Sequence, residues 1–188
     1  MGLFPAADEP PSTRKTLPLL TLVLGGARSG KSRHAERLVE ADGAAPIYIA
    51  TAEALDDEMR LRIRHHRERR GVRWETVEAP LELAEAVARN AGPGRAVLVD
   101  CLTLWLSNLM LAGRDPAIAV GRLVEALVAA GGPVVLVANE VGLGIVPETP
   151  LGRAFRDEAG RLNQRVAALA QRVVFLVAGL PMTVKETA

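Results

Sequence analysis

Five short runs of consecutive apolar residues limit what this chain can fold into: "LLTLVLG" (19–25), "PIYIAT" (46–51), "AVLVDC" (96–101), "PVVLVANE" (133–140) and "RVVFLVAG" (172–179). They are apolar at successive rather than alternate positions, the pattern of strands covered on both faces in a parallel sheet. Segments with helical spacing lie between them. After Lys31, Ala35, Leu38 and Val39 share a face while His34, Glu36, Arg37 and Glu40 fall elsewhere; Leu83, Ala84 and Val87 repeat the pattern, as do Leu123, Ala126 and Leu127. Thr149, placed as an N-cap with Pro150 at the first helical position, opens a long helix running to about Arg172. Strand and helix alternate along the whole chain, and right-handed crossovers then give a parallel sheet with helices on both sides.

The 188 residues suit one compact α/β domain, expected over 19–188 behind a flexible N-terminal tail, 1–18, rich in proline, acidic and small residues. That tail lacks the apolar core of a signal peptide, and no apolar run reaches the roughly 18 to 20 residues that span a bilayer. With 23 basic and 22 acidic residues the net charge is +1, so the arginine-rich stretch between Arg60 and Arg73 is a local feature. A general nucleic-acid-binding role is disfavoured on that count. The single cysteine, Cys101, excludes an intrachain disulfide and a multi-cysteine metal site, and suits a reducing, cytoplasmic location.

"GGARSGKS", Gly25 to Ser32, fits G-x-x-x-x-G-K-[ST] and lies where the pattern has structural meaning, directly after the first buried strand and at the start of the first helix. Backbone N–H groups of Gly25, Gly26, Ala27, Arg28, Ser29 and Gly30 are expected to curl around phosphate oxygens at a helix N-terminus. Lys31 is expected to bridge the β and γ phosphates, with the Ser32 hydroxyl at a Mg²⁺ position. Asp100 ends the strand "AVLVD" at the carboxyl edge, where open α/β sheets place their ligands. It can hold Mg²⁺, accept a proton from a substrate hydroxyl, or simply cap the helix that begins near Leu102. Glu140 ends another strand at that edge, in "NEVGLGIVPETP", whose glycines and prolines suit a shaped loop lining a substrate site.

"RIRHHRERRG" (62–71) poses a separate question. Neighbouring residues on a helix point about 100° apart, so His65 and His66 do not address one small target, which argues against a paired-histidine metal site. A nucleic-acid patch would interleave aromatics, and only Trp74 is near. Composition alone favours a solvated basic face. The alternative is a histidine nucleophile attacking an α-phosphate among guanidinium groups that offset the developing charge.

Over about Leu19 to Lys185 the chain resembles the bifunctional adenosylcobinamide kinase / adenosylcobinamide-phosphate guanylyltransferase family of cobalamin biosynthesis. The carrying stretches are "LGGARSGKSRHAE" (24–36), "YIATAEALDDEMRLRIRHHRERRG" (48–71), "VLVDCLTLWLSNL" (97–109) and "VVLVANEVGLGIVPETPLGRAFRDEAGRLNQRVA" (134–167). The resemblance implies a P-loop, RecA-like three-layer fold with a mostly parallel sheet. It implies phosphorylation of adenosylcobinamide by ATP or GTP, then transfer of GMP from GTP through a guanylylated histidine onto adenosylcobinamide phosphate. Ile63, His66 and Arg67 match the family's I-x-x-H-R/K arrangement, which assigns the nucleophile to His66. The family's nucleotide contacts carry over onto Gly25–Ser32, onto Ala50, Thr51 and Ala52, onto Arg67, Glu68, Arg69 and Arg70, and onto Glu78 and Asp100. A homo-oligomer, a trimer by resemblance, is implied too. The competing reading is a P-loop small-molecule kinase without guanylyltransferase activity.

Overall fold

The computed structural model describes residues 17–52 and 73–187, and among these it has seven strands in one sheet. In chain order they are β1 (Leu20–Gly25), β2 (Ala45–Ala50), β3 (Glu75–Glu78), β4 (Arg95–Asp100), β5 (Val134–Asn139), β6 (Arg172–Val177) and β7 (Leu180–Glu186). The helices are α1 (Lys31–Asp42), α2 (Leu83–Asn90), α3 (Leu102–Leu111), α4 (Pro116–Val128) and α5 (Pro150–Leu169). The strand order is β3-β2-β4-β5-β1-β6-β7, parallel except for β7, which returns antiparallel to β6.

Successive side chains of a strand point to opposite faces, and the sheet therefore feeds two cores. On one face Leu22, Ile47, Ile49, Val97, Val99 and Leu136 meet Leu83 and Val87 of α2, Trp105 and Leu106 of α3, Leu123 of α4 and Val166 of α5. On the other face Val23, Tyr48, Leu98, Val135 and Val137 meet Ala35 and Val39 of α1, with Trp74. That makes three layers with the sheet in the middle, and each fully buried Leu, Ile or Val contributes roughly 1.5–3 kcal/mol.

The five runs named from sequence are all strands, their ends shifted by a residue or two. β3 and β7 were not among them. β3 is four residues of alternating character, "ETVE", and β7 carries a proline and is exposed along most of its length, so neither has the apolar signature of a covered strand. The crossover from β4 to β5 holds two helices, α3 and α4, rather than one.

Thr149 caps α5 as expected, its hydroxyl accepting from Gly152 N at 3.1 Å with Pro150 at the helix start. Asp115 does the same for α4, accepting from Ala117 N at 2.8 Å. One expectation needs correction: Glu36 belongs to the buried side of α1. Of the roles open to Asp100, capping α3 is not the one it takes, since the N-cap is Cys101 with no side-chain cap bond. Leu17, within the expected tail, is held by its backbone N–H to the Asp42 carboxylate at 3.0 Å. Trp74 is buried rather than open to a base: its ring meets Tyr48 edge-on at 6.3 Å and its indole N–H donates to Glu40 at 3.2 Å.

Candidate active site

The loop from Gly25 to Ser32 joins β1 to α1 at the carboxyl edge of the sheet. Gly25 is buried at φ 151°, and a Cβ there would stand 2.6 Å from the carbonyl oxygen of Leu176 and 2.8 Å from the Ser29 hydroxyl, so the close turn requires glycine. Gly30 occupies the N-cap of α1 in a left-handed conformation with no side-chain cap bond, so its end leaves backbone N–H groups for a ligand. The β6–β7 turn supports the loop from outside, Gly179 N donating to Ser29 O at 3.0 Å.

Lys31 is 7% exposed, and its ammonium donates to the Gly26 carbonyl at 2.5 Å and the Ser29 hydroxyl at 3.4 Å. Burial lowers its pKa, and the Cys101 and Asp100 groups at the end of β4 act in the opposite sense. One oxygen of Asp100 is buried without a hydrogen-bond partner. An orphaned carboxylate oxygen is costly unless a ligand completes it, and beside a phosphate loop a hydrated Mg²⁺ is a chemically fitting one, since Mg²⁺ takes one or two protein oxygens and fills the rest with phosphate and water. Among the described residues no group of three or more His, Cys, Asp or Glu could hold a metal by itself.

Register brings further residues into line. Ala50 pairs with Glu78 on one side and Asp100 on the other; Asp100 pairs with Val137, and Val137 with Val23. Glu78, Ala50 and Asp100 thus form one row across β3, β2 and β4, and the phosphate loop begins two residues past the same row on β1. Thr51 follows directly; its fully buried hydroxyl donates to Cys101 O at 2.8 Å and accepts from Cys101 N at 2.7 Å. The Asp100–Cys101 peptide is cis. Ala52 follows Thr51 in the chain. Glu140 donates through its backbone N–H to Gly25 O at 3.0 Å, and its carboxylate accepts from Gly142 N at 2.6 Å, tying the 140–149 loop to the start of the phosphate loop.

His65, His66 and the Arg67–Arg70 segment lie outside the described residues. Sequence reasoning also missed three polar side chains that hold the edge. Thr103 and Asn108 of α3 and Asn163 of α5 all bond to backbone at strand ends: Asn139 N donates to Thr103, Asn163 donates to Asn139 O, and Asn108 donates to Thr51 O. Their signal was available only as polar residues at core-facing helical positions.

Cys101 is 5% exposed, and burial, reinforced by Asp100, pushes its thiol up to about 12. The folded protein is therefore expected to resist thiol alkylation at neutral pH and to take up one equivalent only after unfolding. Rapid stoichiometric labelling of the native protein would contradict the packing of α3 against this strand end.

The glycine loop between the first strand and first helix, with an acidic residue ending a strand two positions away in a parallel three-layer sheet, defines a RecA-like P-loop nucleotide-binding enzyme. The fold is shared with the flagellar accessory protein FlaH of Methanocaldococcus jannaschii, with a TM-score of 0.52 at 10% identity, covering 91% of this chain and 80% of that one. Residues 21–184 match the family described as cobinamide kinase / cobinamide phosphate guanyltransferase, and the chain belongs to that family. It is 53% identical over 167 residues to the bifunctional adenosylcobalamin biosynthesis protein CobP of Pseudomonas aeruginosa, covering 87% of this chain and 96% of the relative. It is 44% identical over 182 residues to the corresponding protein CobU of Escherichia coli, covering 89% of this chain and all of the relative.

Proposed function

We propose that this enzyme phosphorylates the hydroxyl of the aminopropanol arm of adenosylcobinamide and then guanylylates the product, giving adenosylcobinamide-GDP. The observation that carries the reading is the row Glu78–Ala50–Asp100 at the same carboxyl edge of the sheet from which the Gly25–Ser32 loop leaves β1. From β1 to β3 the edge crosses four inter-strand steps, about 19 Å at ~4.8 Å each, room for a nucleotide with its phosphates at one end and its base at the other.

The residues divide the work. Loop N–H groups and Lys31 hold the triphosphate of ATP or GTP, and Ala50–Ala52, Glu78 and the Arg67–Arg70 segment contact the guanine nucleotide. Ser32 and Asp100 would hold Mg²⁺, which supplies offset of phosphate charge when bound. In the kinase step the substrate hydroxyl gives up its proton, for which Asp100 is the candidate acceptor, as its oxygen bonds to the γ-phosphorus; the bond to the β-phosphate oxygen breaks and a nucleoside diphosphate leaves. In the transfer step a ring nitrogen of His66 bonds to the α-phosphorus of GTP and pyrophosphate leaves. A phosphate oxygen of adenosylcobinamide phosphate then displaces His66.

The exposed apolar residues Leu143 and Ile145 of the 140–149 loop, joined to Gly25 through Glu140, offer a face for the corrinoid. Leu180, Met182 and Val184, exposed on edge strand β7, support assembly into a homo-oligomer, which the resemblance makes a trimer. No helix among the described residues is long and apolar enough to cross a membrane, which fits a cytoplasmic enzyme.

Incubation with α-labelled GTP tests the transfer. Acid-labile label is expected on the wild-type protein and on His65→Ala, and is expected to vanish in His66→Ala while phosphorylation of adenosylcobinamide by ATP persists. Label that survives undiminished in His66→Ala, or none on the wild type, leaves the small-molecule kinase as the better description.

A further inference from the structure

The backbone around Asp100 is not held by sheet pairing alone. β2 and β4 stop pairing at Ala50 and Asp100, and one residue further on Thr51 turns its side chain inward onto Cys101. Its carbonyl is taken from the helical side: Asn108 Nδ2 donates to Thr51 O at 2.8 Å and to Pro80 O at 3.1 Å. A primary amide has two N–H donors, and both are used here. One α3 side chain therefore couples the end of β2 to the loop leaving β3, the two segments that carry Ala50–Ala52 and Glu78. Five residues earlier on the same helix, Thr103 accepts from Asn139 N at 2.7 Å and fixes the end of β5 on the other side of β4.

We infer that Asn108 is a positioning residue for the guanine nucleotide, acting through the Thr51 and Pro80 carbonyls rather than by touching the nucleotide. The inference rests on the proposed reading of Ala50–Ala52 and Glu78 as nucleotide contacts. Packing between α3 and the β3 exit is already supplied by Trp105, whose indole N–H donates to Leu81 O at 2.8 Å and whose ring is in the core. Asn108 is only half-buried, so its two bonds add registration of two loops rather than core volume. Leucine at that position keeps similar bulk and removes both donors. The loops then lose a shared anchor, while Lys31 and Asp100 keep their own supports in the phosphate loop and the Thr51–Cys101 bonds.

Steady-state guanylyl transfer by the full chain, with GTP varied, tests this on Asn108→Leu, Asn108→Gln and Glu78→Gln. Asn108→Leu is expected to raise KM for GTP about tenfold, the equivalent of ~1.4 kcal/mol, with kcat within about threefold of wild type. Asn108→Gln, which retains both donors, is expected to recover most of that loss, a rescue that a purely space-filling role would not produce. An unchanged KM in Asn108→Leu, or an equal loss in the leucine and glutamine variants, overturns the inference. Should Asn108→Leu not fold, Asn108→Gln and Asn108→Ser decide it: KM must rise in serine, which cannot reach both carbonyls, and not in glutamine. The underlying reading fails differently, through a Glu78→Gln enzyme with wild-type KM or a wild-type protein that takes no α-label.

Discussion

Replacing Lys31 with alanine is expected to lower both the kinase and the guanylyl-transfer rates by about a thousandfold while the melting midpoint hardly moves. Removing one preorganised donor to developing charge typically costs ~10²–10³ in rate, and Lys31 is a full cation rather than a neutral donor. The side chain is buried and its ammonium rests on Gly26 O and the Ser29 hydroxyl, within the loop it serves. Burial already lowers its pKa, which means the fold disfavours the charged form that the proposed catalysis would use. A Lys pKa lowered on folding makes the ammonium a stability cost at pH below the folded pKa, and that cost disappears in the alanine variant. On the proposed reading, a bound polyphosphate would supply the missing counter-charge. Loss of activity with retained stability is therefore the signature of a functional lysine, to be read by steady-state rates beside thermal melts. Activity within tenfold of wild type would show that the loop does not hold the reacting phosphates.

The largest effect on stability is expected at Trp105. It is 1% exposed, among the largest fully buried side chains, and packs α3 into the core cluster shared with α2, α4 and α5. Trp105→Ala is expected to cost about 3–5 kcal/mol, from lost burial and the cavity left behind. For a chain of this length that corresponds to a fall of roughly 6–20 °C in melting midpoint, measured by circular dichroism or calorimetry. Trp105→Phe keeps most of the ring volume but strands the Leu81 carbonyl that the indole N–H satisfies, so a smaller cost of about 1–2 kcal/mol is expected. Equal costs in the two variants would place the energy in the hydrogen bond instead of the packing. Guanylyl transfer by the phenylalanine variant is expected to stay close to wild type below its melting range, because Asn108 and Thr103 still hold the strand ends.

Much of the architecture was legible beforehand, for reasons visible in particular residues. β1, β2, β4 and β5 are buried on both faces, so their apolar runs are continuous and hard to mistake. Among the described residues β3 and β7 sit at the two edges of the sheet, with a strand on one side only, and their composition relaxes toward that of a loop. α3, with "LTLWLSNLML", is apolar nearly all round, and periodicity cannot separate such a segment from the strand it follows. Helix-face assignments were right where spacing was clear and wrong for Glu36, a charged residue on the buried side of α1 whose placement depends on what α1 packs against.

The site divides along a similar line. The sequence by itself determined the phosphate loop, because its chemistry lies in eight consecutive residues whose glycines, lysine and serine each have a local reason to be there. It also determined that Asp100 ends a covered strand, and the family resemblance named Glu78 without a physical reason. Only the tertiary structure decided that Glu78, Ala50 and Asp100 stand in one row, since that alignment depends on strand order and register between segments up to 50 residues apart. It alone decided that Thr51 points inward and that Asn108 and Thr103 hold the edge from a neighbouring helix. Local chemistry is written in consecutive residues; a hydrogen bond between residues distant in the chain exists only once the sheet has brought the two backbones together.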